Sequence, residues 1–159
     1  LPHFRVQSSA SLYMSSDSNS YELCLAHYGH VQLPGAKHWA LILLTEPKCL
    51  KGIAYQVSGS TTTYAVKKPE EVFLLSAQTY MGRVRVGSVT KSRAFGDGPD
   101  TFHSTVMSTP CVRDRKDWHC QHWVVQVIMR LYNARFNVQP RSIDQLLFDL
   151  GRARREDLP

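Results

Sequence analysis

The chain has 159 residues, 43% of them hydrophobic and 10% aromatic, with a formal net charge of +6. That is long and apolar enough for one domain with a single sizeable core. No apolar run approaches the roughly 20 residues needed to cross a bilayer, and no basic start with a long apolar core marks a cleavable signal.

With Leu at position 1, the sequence reads as lacking its true N-terminus, so the absent signal decides nothing about export. Cys24, Cys49, Cys111 and Cys120 include no Cys-x-x-Cys pair and are too sparse for a disulfide scaffold. They read as reduced thiols in a cytoplasmic protein. The basic stretches at Arg83, Arg85, Lys91 and Arg93 and at Arg152, Arg154 and Arg155 are not interleaved with aromatics. That pattern argues against nucleic-acid binding and fits an acidic substrate or partner better.

In chain order, residues 1–20 hold seven serines and little periodicity, the composition of a flexible arm. A single domain is expected over residues 21–159. It opens with an alternating strand from Tyr21 to Tyr28. Lys37 to Leu44 reads as a buried strand that starts on His38, and Ile53 to Ser58 as its hairpin partner after a turn centred near residue 48. Ser60 to Val66 is expected to extend that series, and Glu71–Leu75 and Gly82–Val89 suit further strands. Gly96-Asp97-Gly98-Pro99 breaks the chain before a short helix over 100–108. A longer helix is expected from an Asp117 N-cap to about Phe136, with Trp123, Val127, Ile128 and Leu131 on its buried face. Ser142 and Gln145 form a capping box for a last helix, whose apolar stripe is Ile143, Leu146, Leu147 and Leu150. Strands followed by helices, with no alternating βα units, predict an α+β fold: a mostly antiparallel twisted sheet packed against helices.

The chemistry concentrates in Trp118-His119-Cys120-Gln121-His122-Trp123. Cys120 falls in the first turn of the long helix, where the positive end of the dipole favours a thiolate, the form that acts as a nucleophile. The hairpin register brings His38 close to Gln56 or Ser58, all on one face of the pleat. A histidine and a polar partner on a sheet, opposite a cysteine at a helix start, are the parts of a Cys-His-polar hydrolase. Trp39, Trp118 and Trp123 read either as core packing or, together with His119, Gln121, His122 and Ser58, as the walls of a substrate pocket.

His119-Cys120-Gln121-His122-Trp123-Val124 resembles the Asn-Cys-Glu-His-Phe segment of lecithin-retinol acyltransferase-like proteins. The order of His strand before Cys helix resembles the circularly permuted papain-like superfamily, which also includes cell-wall endopeptidase-like proteins. Lys37 to Leu43, with Tyr55-Gln56-Val57, is further similar to uncharacterised fungal domains that pair an aromatic-flanked His strand with a Cys-Gln-x-Trp-Val helix. The resemblance spans residues 21–136. It implies a permuted papain-like fold, Cys120 as nucleophile, His38 as general base and Gln56 as the group that orients the imidazole. The chain departs from the pattern in two places. Gln56 stands where many relatives carry a histidine, so the third group has no charge, and His119 replaces the Asn before the cysteine. The resemblance then leaves the oxyanion hole unassigned, beyond the backbone N–H groups that the helix start offers.

The expected function is therefore a cysteine-dependent hydrolase or acyltransferase acting on an amide, ester or thioester of a small molecule or peptide. The alternatives are a non-catalytic binding module on the same fold and a histidine acid/base enzyme of small-molecule biosynthesis. No cofactor is expected, and no zinc site: the His27–His30 and His119–His122 pairs lack a second ligand pair of matching spacing. The sequence names no oligomeric state.

Overall fold

The computed structural model describes residues 19–29 and 37–157. The Ser-rich arm, up to residue 18, and His30 lie outside the described residues. Among the described residues the strands of one sheet are β1 (Ser20–Tyr28), β2 (His38–Glu46), β3 (Lys51–Tyr55), β6 (Glu70–Phe73), β7 (Tyr80–Thr90) and β8 (Asn137–Val138). Their order is β6-β3-β2-β1-β7-β8, with every neighbouring pair antiparallel. A separate two-stranded ladder joins β4 (Val57–Ser58) to β5 (Ala65–Val66). The helices are α1 (Phe102–Met107), α2 (Cys120–Asn133) and α3 (Ile143–Arg152). The fold is α+β, a mostly antiparallel sheet packed against a few helices.

The long apolar run of β2 has a simple cause: the strand is buried on both faces. Trp39, Leu41 and Leu43 point into the larger core with Leu23, Leu25 and the buried face of α2. Ala40, Ile42 and Leu44 point the other way, into a second cluster with Cys24, Ala26, Ala54 and Tyr80. The β2–β3 hairpin pairs Leu41 with Tyr55 and Leu43 with Ile53. Its turn is a short 3-10 segment, Pro47–Cys49, closed by Leu50 in the left-handed region at φ 51.

The second face is covered by the 74–80 segment and by a C-terminal strap over residues 153–157. Arg155 donates to the carbonyls of Leu75 (2.7 Å), Ala77 (2.7 Å) and Tyr80 (2.9 Å). Glu156 accepts from the Tyr80 hydroxyl (2.7 Å) and from Arg83 Nε (2.8 Å). Gly82, at φ 135, runs beneath the Arg154 backbone, whose nearest atom would lie 3.1 Å from an added Cβ.

Several boundaries differ from the sequence reading. Ser60–Val66 does not extend the main sheet. Gly59, at φ 106, and the Ser60–Thr63 hydrogen bonds turn the chain back, so the segment pairs with Val57 and Ser58 instead. The long helix starts at His119, which is its N-cap, because Arg115 holds the Asp117 carboxylate through two bonds of 2.7 and 3.1 Å. The same helix stops at Asn133, where Arg135 turns left-handed at φ 67 and frees Phe136 for the core. The capping box on α3 is present, with Ser142 and Gln145 exchanging bonds of 3.1 Å. Among the described residues no helix is long and apolar enough to cross a membrane.

Candidate active site

His38 opens β2, and Gln56 follows the last residue of β3, so the hairpin delivers both to one end of the sheet. His38 Nε2 lies 2.5 Å from Gln56 Oε1. The amide of Gln56 also reaches Glu70 on β6, with Nε2 donating to Oε1 at 3.4 Å. A carboxylate only accepts, so Gln56 must turn its NH2 to Glu70 and its oxygen to His38. The proton of a neutral His38 therefore sits on Nε2, and Nδ1 is left as the acceptor. Lys67 braces this corner: its Nζ pairs with Glu70 at 2.9 Å, and its backbone N–H donates to the Gln56 carbonyl at 2.8 Å. Ser58, the other candidate partner, is exposed on β4 opposite Ala65 and makes no contact with the imidazole.

Cys120 is the first residue of α2 and is partly buried. Burial pushes its thiol up. Against it act the His38 hydrogen bond, the Trp39 backbone N–H, the His38 charge and the residue's own backbone N–H, and together they leave the thiol below the ordinary range. The hydrogen bond with Cys120 raises His38, burial lowers it, and Gln56 raises it again, for a net upward shift. An acid lowered and a base raised across one hydrogen bond favour a thiolate–imidazolium pair.

The neighbouring histidines have another task. His119 N–H donates to His122 Nδ1 (3.1 Å), and Gln121 N–H donates to His119 Nδ1 (3.3 Å), so two imidazoles cap the helix start. Both Nδ1 atoms are acceptors there, which fixes both rings in the Nε2–H tautomer. Burial and the nearby His122 charge lower His119, in keeping with a neutral cap. Gln121 is 3% exposed, and its side chain donates to the Lys37 carbonyl at 3.1 Å. This bond ties the first turn of α2 to the residue before His38 and sets the spacing of the cysteine and the histidine.

The tryptophans do not form such a pocket. Trp39 and Trp123 have no accessible surface and belong to the core; Trp123 Nε1 donates to the Thr109 carbonyl at 3.0 Å. Trp118 is nearly buried, with Tyr64 edge-on at 5.2 Å. The open space lies instead on the opposite face of the sheet, a cavity of about 660 Å³ lined by Tyr28, His38, Ala54, Gln56, Lys67 and Glu70 among others. Cys120 is not among its lining residues. Glu70, Lys67 and Tyr28 carried no signal in the sequence: Glu70 reaches Gln56, Lys67 pairs with Glu70 and Tyr28 stands beside His38 only once the sheet has formed. No group of three or more His, Cys, Asp or Glu residues able to hold a metal ion occurs among the described residues.

The family model DUF6540, a family of unknown function, matches residues 24–136, and the chain belongs to that family. No curated protein and no solved structure matches it.

Proposed function

We propose that this DUF6540 member is a cysteine-dependent acyl-enzyme catalyst, a hydrolase or acyltransferase, with Cys120 as nucleophile. One observation carries the reading: Cys120 is the first residue of α2, His38 draws its thiol below the ordinary range against burial, and His38 Nε2 is held 2.5 Å from Gln56 Oε1. The Cys120 thiolate attacks the carbonyl carbon of an amide, ester or thioester, and the carbonyl electron pair moves to oxygen. The backbone N–H of Cys120, beside the sulfur, is the donor positioned for that oxyanion. His38 passes its Nδ1 proton to the leaving group as the bond to carbon breaks, leaving a thioester on Cys120. Water or an amine, deprotonated by His38, then resolves the thioester and restores the thiolate. Gln56 holds the tautomer this sequence of transfers requires, and Glu70, itself paired with Lys67, fixes the Gln56 amide. The His strand preceding the Cys helix, on an antiparallel sheet, supports the kinship with permuted papain-like proteins.

The second reading, a non-catalytic module that binds a small molecule or peptide, draws on the cavity, which reaches His38 and not Cys120. Para-nitrophenyl acetate separates the two. Under the catalytic reading it releases a stoichiometric burst of nitrophenolate and leaves one acetyl group on Cys120, found by mass spectrometry of peptides. Cys120→Ser folds and loses the burst. Acetylation spread over surface lysines, with no burst, supports the binding module.

A further inference from the structure

A second cavity, of about 580 Å³, lies on the larger-core face of the sheet, across from the one beside His38. The connection from β5 to β6 divides the two. Lys67 lines the first cavity and pairs with Glu70 at 2.9 Å, whereas Lys68, the next residue, lines the second. Lys68 is exposed and has no ion pair or hydrogen bond among the described residues. The walls around it are apolar: Ile53 and Val66 from the strands, Met107 from the end of α1, and Phe95, which is 45% exposed. Apolar surface left open to water costs free energy that an apolar occupant recovers. The volume falls within the range of small-molecule sites.

The polar side chains of this cavity are few and alike. Tyr55 is buried in the core with its hydroxyl 3.1 Å from Nδ1 of His103, and both residues line the cavity. Burial pushes that hydroxyl up to about 12, so it keeps its proton at neutral pH. A buried hydroxyl needs an acceptor, and among the described residues His103 Nδ1 is the one in reach. An accepting Nδ1 leaves the proton of a neutral His103 on Nε2, as a donor. The Lys68 ammonium also only donates, and no Asp or Glu lines the cavity. The side chains thus offer a ligand donors, one of them fully charged, in an apolar setting. A carboxylate is anionic and only accepts, and so complements both.

We propose that this cavity binds an apolar carboxylic acid, its hydrocarbon body against Ile53, Val66, Phe95 and Met107 and its carboxylate at Lys68. Neither Cys120 nor His38 lines it. The site therefore stands or falls independently of the acyl-enzyme reading.

Isothermal titration calorimetry of the full chain near neutral pH tests it with three probes: octanoate, octanol and acetate. Octanoate is expected to bind at one site, about tenfold tighter than octanol, the effect of one charge-assisted hydrogen bond. Acetate, which lacks the apolar body, shows no binding. Lys68→Glu, at an exposed position, removes the preference for octanoate over octanol. Met107→Trp fills the cavity and weakens both ligands about tenfold or more, the effect of two methylenes kept out of it. Equal affinity for octanoate and octanol, or no octanoate binding at millimolar concentration, overturns the proposal. So does octanoate binding that survives both substitutions unchanged. Ala77→Phe fills the cavity beside His38 instead and is expected to leave the titration as it was. Octanoate binding lost in that variant and kept in the other two assigns the ligand to that cavity and overturns the proposal as well.

Discussion

At the scale of single residues, the arrangement turns on which nitrogen of His38 carries the proton. Gln56 decides it, because its amide is itself fixed by the Glu70 carboxylate. Replacing Gln56 with Ala removes the 2.5 Å bond and frees the ring. The alkylation rate of Cys120 near neutral pH is expected to fall about fivefold, the worth of one hydrogen bond of roughly 1 kcal/mol. Gln56→Glu is expected to raise His38 further, read by its proton NMR titration, since it places a carboxylate against the imidazole. The residue types His38 and Cys120 were legible in the sequence because their chemistry announces itself at a strand start and a helix start. Strand register alone did not separate Gln56 from Ser58, since both share the pleat face of His38, and the family resemblance was what singled out Gln56. Their fates diverge only because Gly59 turns the chain and commits Ser58 to β4. Glu70 was beyond reach, its contact with Gln56 depending on how an edge strand registers against β3.

At the scale of elements, the sheet and helix α2 define the site by where they begin. The helix face formed by Trp123, Val127, Ile128 and Leu131 was legible from its 3.6-residue period, and all four are buried. The helix cap was not. Asp117 has the better capping propensity, yet the fork of Arg115 takes its carboxylate and two imidazoles close the helix instead. The tryptophans take the core-packing alternative for a related reason. Residues adjacent in sequence to a reactive group alternate between site and interior, and Trp39 and Trp123 fall on the interior side. Strand β8 is two residues long and left no pattern to read, but it closes the sheet against β7. A Cβ added at Gly87 would lie 2.1 Å from the Asn137 carbonyl oxygen. Gly87→Ala must push the two strands apart, and urea unfolding is expected to show a loss of about 2 kcal/mol.

At the scale of the whole molecule, opposing histidines set how stability varies with pH. Burial, then the charge of Lys37, lowers His27 from its ordinary 6.5, and burial lowers His119 likewise. The unfolded chain therefore binds protons at these sites before the folded one does, and the stability they allow is full above 6.5 and is lost as pH falls below it. His38 has the opposite sign. Its folded value is raised, so its contribution is full below 6.5 and is lost as pH rises through that raised value. Denaturation midpoints between about pH 5 and 8 are expected to show this: His27→Asn flattens the acid-side decline, and His38→Ala removes the decline on the alkaline side. The α+β class and the antiparallel sheet were legible from strand and helix order. The ladder formed by β4 and β5, the C-terminal strap and the cavity beside His38 were not, because each depends on contacts between segments distant in the chain.

The central claim is that Cys120 and His38 form one coupled pair, and the pH dependence of Cys120 alkylation by iodoacetamide tests it most directly. Cys49 and Cys111 are replaced by Ala, while Cys24, fully buried, stays in place. The apparent thiol pKa is expected below the ordinary 9.0 and moves upward in His38→Ala. A thiol titrating at or above the ordinary value, or one that His38→Ala leaves unmoved, would contradict it.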